Sequence, residues 1–253
     1  MSLFRFAILA AMACGALTAC AANDPRHGGT LSAEARLQVA QAADAAGDTE
    51  LAVSMYTAAA ATEPNNINVQ LRAADALARA GKIDQARQLL ADRLRGSHSQ
   101  PDLMRAIALV DLVAGQPAQA LAEFETVLAI APTDVRTRVD TAVALDLLGR
   151  HAEAQAIYRE VLAATPNDAA TRNNLAVSMM LEGRTRQALD TLAPLQTEDT
   201  TPPRVKVNLG ILYAATGDAE RSRQLLGDRG SDAEVAALTR ALASPATGAR
   251  AGP

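Results

Sequence analysis

The sequence predicts an all-α solenoid built from six repeats, and three periodic patterns support this fold class. Glycine recurs every 34 residues without insertion or deletion, at Gly47, Gly81, Gly115, Gly149, Gly183 and Gly217. A small residue follows each glycine by five positions, at Ala52, Ala86, Ala120, Ala154, Ala188 and Ser222. Another precedes each glycine by seven positions, at Ala40, Ala74, Ala108, Ala142, Ala176 and Gly210. Three patterns in register indicate stacked copies of one structural unit, which is the signature of a solenoid.

Within each repeat, the sequence predicts two helices that are joined at the glycine. Apolar residues recur at helical spacing on both sides of it. Glycine adopts the left-handed backbone conformation that ends a helix without the steric cost of a Cβ atom. Ser32 is the expected N-cap of the first helix, and prolines at positions 64, 132 and 166 end three of the second helices. The predicted repeats span residues 33–66, 67–100, 101–134, 135–168, 169–202 and 203–230.

The segment that follows the last repeat predicts a cap for the stack. Solenoids need a polar terminal element because the end of the stack otherwise leaves an apolar face open. Asp232 is a suitable N-cap for a helix over residues 232–243, and we expect this cap helix to cover that face. The predicted repeat domain therefore covers residues 32–243, and residues 244–253 are predicted to form a disordered tail. Residues 196–203 are polar and proline-rich, which predicts a longer loop after repeat 5.

The composition predicts a core that is built by close approach of helices. Hydrophobic residues make up 49% of the chain, but aromatic residues only 2%, and tryptophan is absent. The two cysteines, Cys14 and Cys20, lie near the N-terminus and leave no disulfide framework for the repeats. The net charge of −4 is mildly acidic and gives no electrostatic basis for a nucleic-acid partner.

The sequence contains no pattern that indicates catalysis or cofactor binding. His27, His98 and His151 lack the spacing and the cysteine partners of a metal site. No phosphate-binding loop, zinc-protease motif or nucleophile-elbow motif occurs. We therefore predict that the protein is not an enzyme, and that it binds no metal, no cofactor and no small-molecule substrate.

The N-terminus predicts an export signal. Residues 1–5 form a short basic lead, and residues 6–16 form an apolar run of 11 residues that is too short to span a bilayer comfortably. The run from Leu17 to Cys20, Leu-Thr-Ala-Cys, resembles the bacterial lipobox. The residues also allow two alternatives: an ordinary signal peptide that is cut after Ala19 and leaves a free thiol, and an uncleaved transmembrane helix.

The lipobox resemblance implies a lipid anchor. In such lipoproteins the cysteine becomes the first mature residue, its thiol receives a diacylglyceryl group, and the new amino terminus is acylated. By this resemblance residues 1–19 are a lipoprotein signal peptide and Cys20 is the lipidated residue. Residues 20–31 contain Pro25 and Gly28-Gly29 and no apolar periodicity, so we predict that they form the lipid anchor and a flexible tether. Two or more acyl chains anchor a protein stably to a membrane. In lipoproteins of enteric type, an aspartate directly after the cysteine favours retention in the inner membrane. The resemblance and Ala21 therefore imply the outer membrane, from which we expect the protein to face the periplasm.

The repeats resemble a tetratricopeptide repeat (TPR) array over residues 33 to about 227. The 34-residue period is that of TPRs, and Tyr56, Phe124 and Tyr158 share the aromatic position of the second helix. The resemblance implies a right-handed superhelix of antiparallel helix pairs, in which the first helix of each pair lines a concave groove. TPR arrays bind proteins or peptides and do not generally catalyse reactions.

A narrower resemblance points to one group of TPR lipoproteins. It is carried by the lipobox, the tether, and the motifs Leu148-Gly149-Arg150, Asn173-Asn174-Leu175-Ala176 and Gly217-Asp218. These features are similar to the TPR lipoproteins of tight-adherence (Tad/Flp) pilus loci, the TadD type. The resemblance implies a pilotin-like role, in which the protein assists assembly of the outer-membrane secretin through which Flp pili pass. The implied partner is that secretin or another Tad component.

The repeat phase and the TPR resemblance together place the partner-binding groove in repeats 4 to 6. In TPR peptide binders, an asparagine two positions before the small residue of the first helix often bonds the ligand backbone, and Asn174 and Asn208 hold that position. The concave face around them is predicted to show Val139, Val143, Val177, Met180, Leu181, Val207 and Ile211, with Arg136 and Arg204 at its rim. Such an apolar groove suits an amphipathic helix or an extended segment.

Several of these assignments have structural alternatives. Either asparagine can bond a neighbouring helix instead of a ligand, and Met180, Leu181 and Ile211 can be part of the inter-helix core. Asp111 stands at a position that is normally apolar, and an exposed or locally paired carboxylate is favoured there over a ligand contact. The basic clamp that some TPRs use for a terminal carboxylate is not apparent, because apolar residues occupy its lysine positions: Leu37, Leu71, Val139 and Val207.

The sequence thus predicts a lipid-anchored protein of the bacterial cell envelope that acts by protein–protein binding in Tad/Flp pilus assembly. One alternative is a TPR scaffold lipoprotein of another pilus or secretion system. Another alternative is an accessory factor of cell-wall enzymes.

Overall fold

The computed structural model describes residues 31–95, 100–197 and 201–227, and all regular structure in these ranges is helical. The all-α fold class predicted from the sequence is therefore confirmed. The helices of repeats 1 to 3 are α1 (Ala33–Ala46), α2 (Thr49–Thr62), α3 (Ile67–Arg79), α4 (Ile83–Leu94), α5 (Pro101–Val113) and α6 (Pro117–Ile130). Those of repeats 4 to 6 are α7 (Val135–Leu147), α8 (His151–Ala164), α9 (Ala169–Leu181), α10 (Thr185–Leu192), α11 (Pro203–Ala215) and α12 (Ala219–Leu226).

Glycines with positive φ and capping side chains set the ends of these helices. The six periodic glycines all have positive φ, from 73° to 92°, and each lies one or two residues after the last residue of a first helix. At Gly149 a Cβ atom would meet nothing within 4 Å, so glycine is needed there for its backbone conformation and not for space. At the other ends, side chains such as Ser32 and Asp134 accept hydrogen bonds from the first backbone N–H groups of α1 and α7.

The stacking of the pairs defines an inner face. Each helix packs against the next one along the chain. In addition, the first helices of successive repeats contact one another from α3 through α5, α7 and α9 to α11, whereas second helices of successive repeats do not pack closely in the part of the chain described. The first helices therefore line the inner side of the stack, and the second helices form its outer side.

The core is built from small residues and a few rings. Ala40, Ala86 and Ala154 are fully buried, as are Phe124 and Tyr158. Buried apolar residues form two clusters, one in repeats 1 to 3 and one in repeats 3 to 6, which meet at α5. In repeat 6 the small position is Gly210, where a Cβ atom would lie only 2.5 Å from Leu226 Cγ. Small residues at these positions let the paired helices approach closely.

The loop predicted over residues 196–203 is described only in part, because residues 198–200 lie outside the described ranges. A 3-10 turn, Ala193–Thr197, continues from α10, and Leu195 within it is buried. Pro194 explains the short α10, because proline has no N–H to donate to the helix. The hydroxyl of Tyr213 donates to Gln196 Oε1 at 2.6 Å and holds the turn against α11.

Several sequence predictions lie outside the described residues. They are the signal peptide 1–19, the lipidated Cys20, nearly all of the tether 20–31, the cap helix 232–243 and the tail 244–253. Within the described ranges, no helix combines the length and the apolar character needed to cross a bilayer.

Replacing Gly149 by alanine is expected to lower the free energy of unfolding by about 1 kcal/mol, because the left-handed conformation strains an alanine. Urea unfolding followed by circular dichroism measures this loss. Gly149→Asn is the matched control and should lose less, since asparagine tolerates the left-handed region. An alanine variant that is as stable as the unmodified chain would show that the turn does not depend on this backbone conformation.

Candidate functional site

Large apolar side chains are exposed in a row along the inner side of repeats 3 to 5. Val113, Leu147 and Leu181 are the last residues of α5, α7 and α9, and their exposed fractions are 56%, 59% and 52%. They lie 34 residues apart, two positions before a periodic glycine. Because equivalent residues of stacked repeats align in space, these three side chains lie in one line along the stack. We call it the exposed apolar row.

A second set of apolar residues lies one helical turn before this row. These residues are Leu109, Val143, Val177 and Ile211, and each is half-buried. Residues four apart lie on the same face of a helix, so in repeats 3 to 5 the two sets are adjacent. We call the exposed apolar row together with these four residues the inner apolar surface. An apolar surface of this kind is typical of sites that bind protein segments.

The structure divides the predicted groove residues into two groups. Val139, Val143 and Met180 are half-buried and pack against the core of repeats 3 to 6, as the alternative interpretation proposed for Met180. Of the others, Val177, Val207 and Ile211 are also half-buried, and only Leu181 and Arg204 are exposed. Exposure of Leu181 argues against its being a core residue.

The two predicted ligand-binding asparagines are not equivalent. Asn208 Nδ2 donates a hydrogen bond of 2.7 Å to Oδ1 of Asn173, which is buried on α9. Asn208 therefore joins α11 to α9, which is the structural alternative considered for it. Asn174 is half-buried, and within the described residues its side chain makes no hydrogen bond, so its amide is available to a ligand.

A cavity opens on the inner side between α3, α5 and α7, earlier in the stack than the groove predicted from the sequence. Its volume is about 320 Å³. Its apolar wall is formed by Leu71, Leu109, Val110 and Val113, together with alanines of α3 and α5. Val113 also belongs to the exposed apolar row, so the cavity is continuous with the inner apolar surface.

Ion pairs between first helices surround the inner side. Arg79 contacts Asp44 at 3.0 Å and links α3 to α1, and Arg136 contacts Asp102 at 2.8 Å and links α7 to α5. The hydrogen bonds from Arg79 lower the pKa of Asp44, although its partial burial opposes this shift. Both pairs are largely exposed and contribute little to stability, but they neutralise charge along the surface that a partner would approach.

A second ion pair links α5 to α7. It joins Arg105 to Asp140 and is less exposed than the pair between Arg136 and Asp102. Its contact distance is 2.6 Å. Burial raises the pKa of Asp140, and the charge of Arg105 together with its hydrogen bond only partly offsets this effect.

Asp146 is the centre of a polar cluster that joins repeats 4 and 5. Ser178 Oγ donates to Asp146 Oδ1 at 2.6 Å, Tyr158 donates to Oδ2 at 3.1 Å, and His151 Nδ1 lies 2.8 Å from Oδ1. Burial, reinforced by the Asp146 charge, raises the pKa of Tyr158 far above its usual range. The serine hydroxyl donates to the carboxylate and not to the imidazole, so this is not the order of a catalytic triad. The cluster holds helices together.

Metal binding has no support in the described parts of the chain. There, no three histidine, cysteine, aspartate or glutamate side chains come close enough together to hold an ion.

Asp111 is buried and paired with an arginine. The sequence favoured either an exposed carboxylate or a locally paired one, and only the second applies. Its Oδ1 accepts from Arg87 of α4, and its side chain has no exposed area. Arg87 also lies 3.7 Å from Glu123 of α6. Asp111 Oδ2 and Glu123 Oε2 are both buried without a hydrogen-bond partner. Arg87 thus compensates two carboxylates at the place where the two apolar clusters meet.

Removing Arg87 is expected to be costly because it leaves a buried carboxylate without a counter-ion. Arg87→Met should lower the free energy of unfolding by about 3 kcal/mol, measured by urea unfolding. The double variant Arg87→Met/Asp111→Leu should regain most of that loss, since no buried charge remains. Arg95→Met, which removes an exposed arginine at the end of the same helix, is the control and should change stability little. A double variant no more stable than Arg87→Met would contradict this explanation.

The sequence could have revealed part of this site. Val113, Leu147 and Leu181 form a 34-residue pattern of the same kind as the glycines, but Val113 and Leu147 were not among the predicted groove residues. The cavity depends on side chains from three helices, and no periodic pattern marks it.

Comparison with sequence families identifies the repeats. A tetratricopeptide repeat model matches residues 43–108, 112–176 and 147–206, and a second tetratricopeptide repeat model matches residues 203–228. These matches cover more than half of the chain. No curated protein matches the sequence.

Solved structures of TPR proteins have the same fold. A tetratricopeptide repeat protein from Parabacteroides merdae superposes with a TM-score of 0.65 at 16% identity, over 87% of each chain. PilW, described as a widely conserved type IV pilus biogenesis factor, superposes with a TM-score of 0.61 at 19% identity, over 81% of this chain and 98% of its own. TTC0263 from Thermus thermophilus gives a TM-score of 0.54 at 20% identity, over 69% of this chain and 97% of its own. At these identities the likeness establishes the fold.

Proposed function

The chain belongs to the tetratricopeptide repeat family. We propose that it is a lipid-anchored adaptor of the bacterial cell envelope that assists assembly or localisation of a pilus secretion machine. The TPR fold is a protein-interaction scaffold and is generally non-enzymatic. The observation that supports an adaptor role most directly is the inner apolar surface of repeats 3 to 6. Its row of exposed valine and leucine side chains is a surface that a partner segment can bury.

The partner in this proposal is an outer-membrane secretin of the Tad/Flp type or another component of the same machine. Two observations support a pilus role. The sequence resembles TadD-type lipoproteins in its lipobox and repeat motifs, and PilW, a type IV pilus biogenesis factor, shares the fold over 81% of this chain. Under this proposal the protein is not an enzyme. The polar cluster at Asp146 is compatible with this, because its hydrogen bonds join helices and do not have the order of a catalytic triad.

The location in this proposal is the periplasmic side of the outer membrane. It is supported by the lipobox at Leu17 to Cys20 and by Ala21. The lipid holds the chain at the membrane, and the tether lets the stack reach a partner that is embedded there. Residues 21–30 of the tether, fully extended, reach roughly 35 Å, which is about the length of a 23-residue helix.

Replacing Cys20 by serine tests the anchor. We expect Cys20→Ser to move the protein from the membrane fraction to the periplasmic fraction, because serine cannot receive the thioether-linked lipid. Cys14→Ser is the matched control, since Cys14 lies in the segment that is expected to be removed. Persistence of Cys20→Ser in the membrane fraction would contradict the lipid anchor.

Affinity isolation from detergent-solubilised envelopes tests the partner and the surface together. Leu147→Ser combined with Leu181→Ser should reduce partner recovery at least about tenfold, because burying each leucine contributes roughly 1.5–3 kcal/mol. Ile130→Ser is the matched control: Ile130 is 47% exposed but lies on the second helix α6. Circular dichroism should show unchanged helical content in all three proteins.

The identity of the recovered protein decides between the pilus proposal and its alternatives. Recovery of a secretin or another Tad component supports the proposal. Recovery of a secretin from an unrelated secretion system would transfer the role to that system. Recovery of cell-wall hydrolases without any secretin would reject the pilus role and favour an accessory factor of cell-wall enzymes.

A further inference from the structure

The cavity between α3, α5 and α7 gives a chemical description of the partner. We propose that it receives one large apolar side chain of the partner segment, and that Arg72 binds a carboxylate next to that side chain. The partner would therefore present an acidic group beside an apolar residue. This inference rests on the proposed binding function of the inner surface and specifies where the partner segment is anchored.

The size and lining of the cavity limit what can occupy it. A volume of about 320 Å³ is near the lower end of ligand pockets, which hold roughly 300–1,000 Å³. Its wall is mostly leucine, valine and alanine from three helices, with Leu71, Leu109 and Val113 as the largest side chains. A single leucine, methionine or phenylalanine side chain fits such a space and gains from leaving water.

The charged groups around the cavity are compensated with one exception. Asp102 is paired with Arg136, Arg105 with Asp140, and Asp75 with Arg79. Arg72 also lines the cavity, but within the described residues it makes no ion pair and no side-chain hydrogen bond. Its guanidinium is exposed beside an apolar wall. An arginine in that setting binds a carboxylate through two parallel hydrogen bonds.

The position of Arg72 within its repeat supports a ligand role. It lies 34 residues before Ala106 and 102 residues before Asn174, so it occupies in repeat 2 the position that Asn174 holds in repeat 5. Equivalent positions of stacked repeats point to the same side of the solenoid. Arg72 therefore lies one repeat before the inner apolar surface begins and Asn174 lies within its repeat 5 part, and the first offers a charge and the second an amide.

The direction of the bound segment follows from this arrangement. The acidic group lies at the α3 side, the anchoring side chain enters the cavity, and the next apolar residues continue over Val113 towards Leu147 and Leu181. The partner segment is thus acidic at one end and apolar along the rest of its contact.

Peptides of defined composition test the inference with the full-length chain purified in detergent. The probes are fluorescein-labelled peptides with a glycine–serine background, an amidated C-terminus and one central pair: Glu–Leu, Gln–Leu, Lys–Leu or Glu–Ser. Fluorescence anisotropy gives the dissociation constant of each. We expect Glu–Leu to bind at least about fivefold more tightly than Lys–Leu, because only the former adds a charge-assisted hydrogen bond. Replacing leucine by serine should also weaken binding, because the cavity then stays unfilled.

A charge reversal provides the decisive comparison. In Arg72→Glu the order of the peptides should invert, so that Lys–Leu binds more tightly than Glu–Leu, and in Arg72→Gln the two should bind equally. Arg186→Glu changes the same charge at an exposed arginine of α10 and should leave the order unchanged. Because Arg72 is exposed and without an ion pair, both Arg72 variants are expected to keep the helical content of the unmodified chain.

One further comparison shows whether the recognised carboxylate is a side chain or a chain terminus. If the terminus is recognised, a peptide that ends in leucine with a free carboxylate binds better than its amide. If a side chain is recognised, the two bind equally well, and either result supports the inference. An order unaffected by Arg72→Glu, or no binding by any peptide, would overturn it. Recovery of a partner in the affinity isolation would then show that the adaptor role stands without this anchor.

Discussion

Close contact between paired helices through buried alanines is the constraint on which the rest of the structure depends. Ala40, Ala86 and Ala154 have no exposed area, and each lies where one helix meets its neighbour. Beside these alanines the core is filled by larger side chains such as Phe124 and Leu90, which are also buried. At the ends of the first helices, by contrast, Val113, Leu147 and Leu181 are exposed to solvent. The packing that makes the stack stable also leaves an apolar surface free on its inner side.

The stack is not uniform along its length, and the difference is largest near α5. Two apolar clusters meet there, and the junction contains Arg87, Asp111 and Glu123 instead of a continuous apolar core. A buried ionic group adds little net stability compared with apolar packing, but it strongly penalises any arrangement that separates its members. This junction therefore fixes how repeat 2 is set against repeat 3, and most of the residues that line the cavity belong to the same two repeats. The shape of the cavity consequently depends on the buried ionic group of Arg87, Asp111 and Glu123.

The periodic part of the structure was predictable from the sequence, and the non-periodic part was not. The helix pairs follow from glycine and alanine patterns that report backbone conformation and close approach, which are local requirements. The partners of Asn208 and Asp111 are side chains on other helices, Asn173 and Arg87, and local patterns do not report such contacts. For the same reason the cavity was missed. The short α10 could have been anticipated from Pro194, whose missing N–H limits the helix.

Site-specific photo-crosslinking in intact cells tests the central claim, that a partner binds the inner side of repeats 3 to 5. A photoreactive amino acid is placed at Leu147 in one variant and at Ala163, an exposed residue of the outer helix α8, in another. Mass spectrometry then identifies any crosslinked protein. If the partner binds the inner side, an envelope protein is crosslinked from position 147 and none is crosslinked from position 163. A crosslink from position 163 with none from position 147 would contradict it, because the partner would then bind the outer side of the stack.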